Sequence, residues 1–344
     1  MSKSYSTLRD EVESLLQDTA NATFSTTELD LIIPDVLREV SRYEPYVVRE
    51  SFTTESRTGS VSATTAGKLI DTGKSQFVAA DVGKVVYNTT DKTWAIIKTY
   101  NSTSSVDLSK NIMTIGENYK IYNKGCIGSK QIDISDITDY LGVESVEYPV
   151  GTNRDWFVSG DTLELLIDDD PSTTDTEVYV YFNKYHRVSQ LTDFLGAVNL
   201  LAGYDEGDTE MILDALQDSG TIEEGQEFTI ANVRGLYRVT AAATITGNDA
   251  TIDFFPGLES DVADDTVVTF KASTLTPNLE PLVVSLSAAR AEISKSSYNI
   301  DRVNTGGPGV WQSRLAHGER LRDETLAKLR RLHPFRVSQQ HSRS

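Results

Sequence analysis

The side chains of this 344-residue chain with the most chemical potential are four histidines, one cysteine and 51 carboxylates. A helical metal pair needs two histidines at i, i+4, and His186, His317, His333 and His341 offer none at that spacing. His186, in Tyr-His-Arg-Val at the end of an alternating run, reads as a surface or boundary residue and not as a general base. Cys126 stands alone, which excludes an intrachain disulfide and a cysteine-built zinc cage and suits a reducing compartment. Asp168, Asp169 and Asp170 precede Pro171, and Asp205, Glu206, Asp208 and Glu210 flank Gly207. Either group offers oxygen ligands to a hard cation, but the first lacks the glycine and terminal glutamate of a calcium loop and the second is no stronger. Turns are expected at both. Gly306, Gly307 and Gly309 surround Pro308 with no strand before them, so they read as a helix-breaking loop and not as a phosphate cradle. Glycoside hydrolysis needs two carboxylates at a set separation in space, and only Trp94, Trp156 and Trp311 are available to stack sugars. No enzyme, metal or cofactor is expected.

The charge is segmental. The net charge is −19. Asp155 to Glu177 holds eight carboxylates and Asp205 to Glu227 holds nine, neither with a lysine or arginine. Ser313 to Ser344 holds eight basic and three acidic residues, a net of +5, which leaves −24 on the rest. Such an acidic surface repels duplex DNA and anionic lipid. Opposite signs in separate segments suit a basic arm meeting an acidic partner, a second copy included. No apolar run approaches the roughly 18 residues of a membrane span. Met1 to Leu8 has one lysine and no apolar h-region, so no secretory leader is expected.

Helices are expected at both ends. Leu8, Val12 and Leu15 share one helical face. Ser25 and Glu28 form a Ser-x-x-Glu capping box ahead of the stripe Leu29, Ile33, Val36, Val40 and Tyr43, with a kink or a restart expected at Pro34 and an end at Pro45. After Pro277, Leu279, Leu282, Val283, Leu286 and Ile293 form another stripe. The last helix carries Trp311, Leu315, Leu321, Leu326, Leu329 and Leu332 on one arc, with Arg320, Asp323, Arg330 and Arg331 facing away. Between these ends lie short β-rich runs. Strands are expected at Phe77 to Val86, Trp94 to Tyr100, Ser105 to Leu108, Tyr119 to Tyr122, Gln131 to Ile134, Val143 to Tyr148, Trp156 to Ile167 and Val178 to Lys184. Met211 to Leu216, Glu227 to Ile230, Gly235 to Thr240, Ala250 to Phe255 and Thr266 to Lys271 repeat the texture, and the two stretches read as the same kind of insert. The expected class is α+β: a bundle of N- and C-terminal helices with inserted antiparallel β-modules. The expected segments are helices in 1–50, β-module 1 in 51–128, a β-rich central part in 129–195, β-module 2 in 196–275, helices in 276–332 and an arm in 333–344.

The phrases FSTTELDLIIPDVLREVSRYEP (Phe24 to Pro45) and LEPLVVSLSAARAEISKS (Leu279 to Ser296), the latter followed by a glycine break and an arginine-rich helix, resemble the two ends of head-to-tail adaptor proteins of the tailed-bacteriophage neck. The stretches Lys68 to Ala95 and Arg234 to Glu259 resemble β inserts of large adaptors and other phage structural proteins. The resemblance implies a virion structural subunit in the neck, assembled in the host cytoplasm and commonly one of twelve copies in a ring below the portal protein. Such a ring touches its own neighbouring copies and a downstream neck or tail protein, lets DNA pass without specific binding and involves no membrane. By position, the resemblance assigns portal contact to Arg330, Arg331, Leu332, His333, Phe335, Arg336, Val337 and Arg343. The alternative is a glycan- or protein-binding β-module protein of the virion tail.

Overall fold

The computed structural model describes residues 3–191, 194–299 and 309–332. The chain is α+β and divides into two compact units, Met1–Tyr46 with Tyr185–Ser344, and Val47–Lys184.

In the first unit, α1 (Tyr5–Leu15) starts at Ser4, whose hydroxyl accepts from the Thr7 N–H at 3.1 Å. The turn that follows is tied by the Asp18 carboxylate, which accepts from the backbone N–H of Ala22, Thr23 and Phe24. The helix α2 (Thr26–Tyr43) opens with the expected capping box: the Glu28 N–H donates to Ser25 Oγ at 3.2 Å and the Ser25 N–H donates to Glu28 Oε2 at 3.0 Å. It runs through Pro34 as one helix, without the restart that was the alternative to a kink there. Proline cannot donate to the carbonyl of Asp30, and the Tyr5 hydroxyl of α1 donates to that carbonyl at 3.4 Å instead.

The last two helices, α3 (Glu280–Asn299) and α4 (Val310–Leu332), join α1 and α2 around one core. Leu8, Val12, Leu29, Ile33, Val36, Val40, Val283, Leu286 and Leu329 meet in it, so the two ends of the chain bury each other's stripes. Where α4 crosses α3, Gly318 lets the backbones touch: a Cβ there would lie 3.0 Å from the Ala289 oxygen and from Ile293 Cγ1. Gly318→Val is therefore expected to lower stability by about 1–3 kcal/mol through overpacking, read as a fall in urea midpoint. An unchanged midpoint would mean that this crossing is not close-packed.

The second unit begins with β1 (Tyr46–Thr53), a strand the sequence reading missed. Its first module holds β2 (Thr58–Ser60), β3 (Lys68–Ile70), β4 (Val85–Asn88), β5 (Thr93–Ser102), β6 (Ser105–Leu108) and β7 (Asn118–Tyr122) in the spatial order β2-β7-β4-β5-β6-β3, all antiparallel. The Ser62 N–H donates to the Ile70 oxygen at 2.8 Å and brings the two edges together. The expected strand Phe77 to Val86 is mostly not one. Phe77 enters the core, Ala79–Asp81 forms a 3-10 turn, Gly83 takes φ +95°, and pairing starts at Val85. The rest of the unit packs β1, β9 (Tyr140–Glu147), β10 (Asn153–Arg154) and β13 (Glu177–Lys184) with β8 (Gln131–Asp133), β11 (Trp156–Ser159) and β12 (Thr162–Leu165) around Val146, Leu163, Val180 and Phe182. Trp156 to Ile167, expected as one run, is a hairpin turning at Gly160 with φ +59°.

The second module belongs to the first unit. It is a closed barrel of β14 (Leu195–Val198), β15 (Glu210–Asp214), β17 (Glu227–Ile230), β18 (Tyr237–Val239), β20 (Ala250–Phe255) and β21 (Val267–Phe270), with a side pair β16 (Ser219–Ile222) and β19 (Ala243–Thr246). Taken in sequence order, its six barrel strands have the same neighbours as those of the first module, and the register agrees residue by residue. Gly59 faces Tyr119 as Gly196 faces Val268, Val86 faces Ile121 as Phe228 faces Phe270, and Leu69 faces Val106 as Met211 faces Ile252. The bond closing the edges recurs as Asn199 N–H to the Ile212 oxygen at 2.9 Å. The turn bond from Gly83 to the Ile97 oxygen recurs from Gly225 to the Val239 oxygen, with φ +95° and +80° at the two glycines. The two modules are one architecture used twice.

Candidate docking helix and arm

The residues assigned to portal contact begin on the last turn of α4. Leu329 is fully buried and fixes that turn to the helical core, with Leu321 and Leu326 partly buried beside it. Arg330 and Arg331 are exposed on the far side, next to the helix C-terminus, where cations offset the negative end of the macrodipole. Leu332 is 38% exposed, so the buried stripe stops at Leu329 and does not include Leu332 as expected. The structure brings Arg330, Arg331 and Leu332 together at one exposed helix end. His333, Phe335, Arg336, Val337 and Arg343 lie outside the described residues. Elsewhere on α4, Arg320 reaches Glu324 at 3.9 Å, Arg322 reaches Asp323 at 3.0 Å, and His317 Nδ1 lies 2.6 Å from Glu292 Oε2 on α3. The Trp311 ring is half-buried, with Arg314 over it at 5.5 Å.

His186 corrects the reading of a surface or boundary residue. It is buried, and its backbone N–H donates to Ser41 Oγ at 2.9 Å. Nε2 lies 2.8 Å from the Glu44 oxygen and so carries the proton, which leaves Nδ1 to accept from the Thr274 hydroxyl at 3.0 Å. The ring thus clasps the end of α2 to the segment leading into α3. Alternating hydrophobicity gave no sign of this, since the partners are 142 and 88 positions away. Burial pushes the imidazole pKa below its usual 6.5, against the opposing effect of the bond to Glu44. The unfolded chain therefore takes up a proton before the folded one does, so the stability of the neutral clasp is present above about pH 6.5 and lost as pH falls below it. Urea midpoints are expected to drop between about pH 7.5 and about pH 5.5. His186→Gln should flatten that slope; an equal slope in the variant would contradict the clasp.

The remaining chemical candidates fall into structural roles. Among the described residues no group of three or more His, Cys, Asp or Glu side chains is placed to hold a metal ion. Asp170 accepts from Lys120 Nζ and Ser129 Oγ, each at 2.7 Å, and Lys130 Nζ donates to the Asp168 oxygen at 2.8 Å. The Asp205 N–H donates to Asp208 Oδ2 at 3.0 Å across a turn with Gly207 at φ +93°. Cys126 is buried, and burial first, then the nearby Asp133 charge, pushes its thiol up to about 12, which leaves it without nucleophilic thiolate at neutral pH. The first module carries a groove of about 630 Å³ whose lining includes Thr58, Val61, Asp71, Lys74, Tyr119 and Lys120. Asp71 is already engaged there, accepting from the Tyr119 hydroxyl at 2.8 Å and from the Gly73 and Lys74 N–H groups. No helix among the described residues is long and apolar enough to cross a membrane. The chain matches no protein-family model, and neither its sequence nor its fold is matched by a curated protein or a solved structure.

Proposed function

We propose that this chain is a head-to-tail adaptor of a tailed-bacteriophage neck, forming a ring of twelve copies below the portal protein. The observation that carries the reading is the helical core, which α1 and α2 build together with α3 and α4 from the far end of the chain. That core presents a basic helix end, Arg330 and Arg331, from which the remaining residues run on as the portal-binding arm. The acidic body suits a conduit, because DNA is repelled from a wall of its own sign and can slide through it. Neighbouring copies, the portal and a downstream neck or tail protein are the partners in this reading. The virion neck is the location, reached by assembly in the host cytoplasm, and no catalysis is required. The test is to mix the full chain with the portal ring of the same phage and isolate rings by sedimentation. Co-sedimentation in a fixed ratio supports the proposal, and a portal that sediments alone overturns it.

The second reading is a glycan-binding module of the virion tail, favoured by the groove of the first module, where Lys74 and Lys120 stand beside Tyr119. Binding of the full chain to a glycan array, lost with Lys74→Ala, would support it; an unmarked array would remove it.

A further inference from the structure

The two modules share one fold and register but differ in charge. Thr58 to Tyr122 holds seven lysines and five acids, a net of +2; Leu195 to Phe270 holds two arginines and fifteen acids, a net of −13. Equivalent positions show what changed. In the first module the cross-strand pair Lys68 and Asp107 forms a salt bridge at 3.1 Å. In the second module the same pair is Glu210 and Asp253, two exposed carboxylates directly opposite each other. Like charges in that geometry repel and weaken a sheet. On the same face the outward positions of β14, β15 and β21 include Leu195, Ile212 and Val267, all exposed, beside Ala197, Asp214 and Thr269, and Leu201 in the loop after β14 is 93% exposed. The positions equivalent to Leu195 and Val267 in the first module are Thr58 and Asn118. The second module therefore presents Leu195, Ile212 and Val267 outward among acidic side chains, Asp214 included, where its sister carries Thr58, Ile70 and Asn118.

The first module carries the complement on another face. Along β5, Trp94, Ile96 and Lys98 point outward between the buried Ala95 and Ile97. Trp94 is 47% exposed, and Lys110 Nζ sits 4.0 Å from the centre of its ring. This is an apolar stripe with a basic margin and a tryptophan anchor, the residue type most enriched where binding energy concentrates.

We infer that the β5 stripe of the first module docks on the β14, β15, β20 and β21 face of the second module of a neighbouring copy. The contact joins two different surfaces, so it is heterologous, the kind that propagates around a ring. Opposite charge at the margins sets register and approach, while Trp94 and the exposed aliphatic residues supply the buried centre. The inference rests on the ring reading and names the surfaces by which neighbours meet.

Sedimentation velocity of the full chain up to about 100 µM tests it, in salt from about 50 mM to about 500 mM. The chain should associate at low salt and dissociate at high salt. Glu210→Lys with Asp253→Lys should weaken association at least about tenfold, and Lys98→Glu with Lys110→Glu should do the same. An equimolar mixture of the two variants should associate again, because each then carries the charge that the other lacks. A native chain that stays monomeric throughout, variants that associate like the native chain, or a mixture that fails to recover each overturns the module contact. Portal docking is scored separately on the same samples. A chain that docks on the portal but shows no charge-dependent self-association overturns the contact and leaves the adaptor reading standing. A chain that self-associates as described and ignores the portal does the reverse.

Discussion

Arg57→Ala is expected to lower the stability of the second unit by about 3–5 kcal/mol, the usual result of stranding a buried charge. The guanidinium holds two carboxylates at once: Nη2 lies 2.7 Å from Glu55 Oε2, Nη1 lies 3.2 Å from Asp81 Oδ2, and Nη1 also donates to the Gln76 oxygen at 2.6 Å. Lys84 Nζ bridges the same pair at 2.6 and 3.0 Å. Asp81 is fully buried and Glu55 nearly so. Burial alone would push both carboxyls up, but the hydrogen bonds and charges of Arg57 and Lys84 outweigh it and hold both below their usual range. The folded state thus binds those two protons less readily than the unfolded chain, whose values are 4.5 and 3.8. The network's contribution is complete above about pH 4.5 and lost as pH falls through the folded values. In Arg57→Ala one lysine remains for two buried acids, so the deficit is largest at neutral pH and shrinks on acidification. Urea unfolding of both proteins at about pH 7 and about pH 4 measures this. A loss under about 1 kcal/mol at pH 7, or a deficit that grows with acid, would contradict the network.

Removing Pro334 to Ser344 is expected to leave the fold unchanged and to weaken portal docking at least about 100-fold, the effect of losing two or more interface anchors. The fold should persist because Leu329 and the residues before it make the contacts that seat α4 in the helical core. Arg330→Ala with Arg331→Ala should weaken docking by a further about tenfold and reduce its salt dependence, since exposed charges at an interface rim act chiefly on encounter. Circular dichroism at 222 nm checks the fold and portal co-sedimentation checks the docking. Docking retained in the truncated chain would remove the arm from the account.

Local pattern revealed the helices well. The Ser25 and Glu28 capping box, the Leu29 to Tyr43 stripe and the start of α3 after Pro277 follow from short-range spacing, and each is where spacing puts it. The strands Ser105–Leu108, Glu227–Ile230 and Ala250–Phe255 were legible for the same reason, alternation between turn residues. Other elements depend on partners distant in sequence. His186 is buried because Ser41, Glu44 and Thr274 converge on it, which no window of residues reports. Tyr46–Thr53 was missed because Arg49 and Glu50 interrupt its apolar run. The identity of the two modules was hidden by compensation in their cores. The large ring that the first module places at Tyr119, opposite Gly59, is Val268 in the second, while Ala95 on β5 becomes Tyr237 on β18. Volume moves from one wall of the barrel to another, and cores accept such exchange when the total is kept. Across Asp81 to Lys84 and Glu223 to Gln226 what persists is an acid followed two residues later by a glycine, Gly83 or Gly225, held at positive φ. Of the residues assigned to portal contact, only Arg330, Arg331 and Leu332, on the last turn of α4, lie among the described residues.

We propose that copies of this chain form a ring continuous with the portal channel, held by the C-terminal arm. Cryo-electron microscopy of the full chain bound to a portal ring tests it most directly. The expected result is a closed ring of twelve copies with the four-helix core against the portal and arm density from each copy extending into it. Copies bound singly at the outer rim, or a ring whose β-modules rather than helices touch the portal, would contradict it.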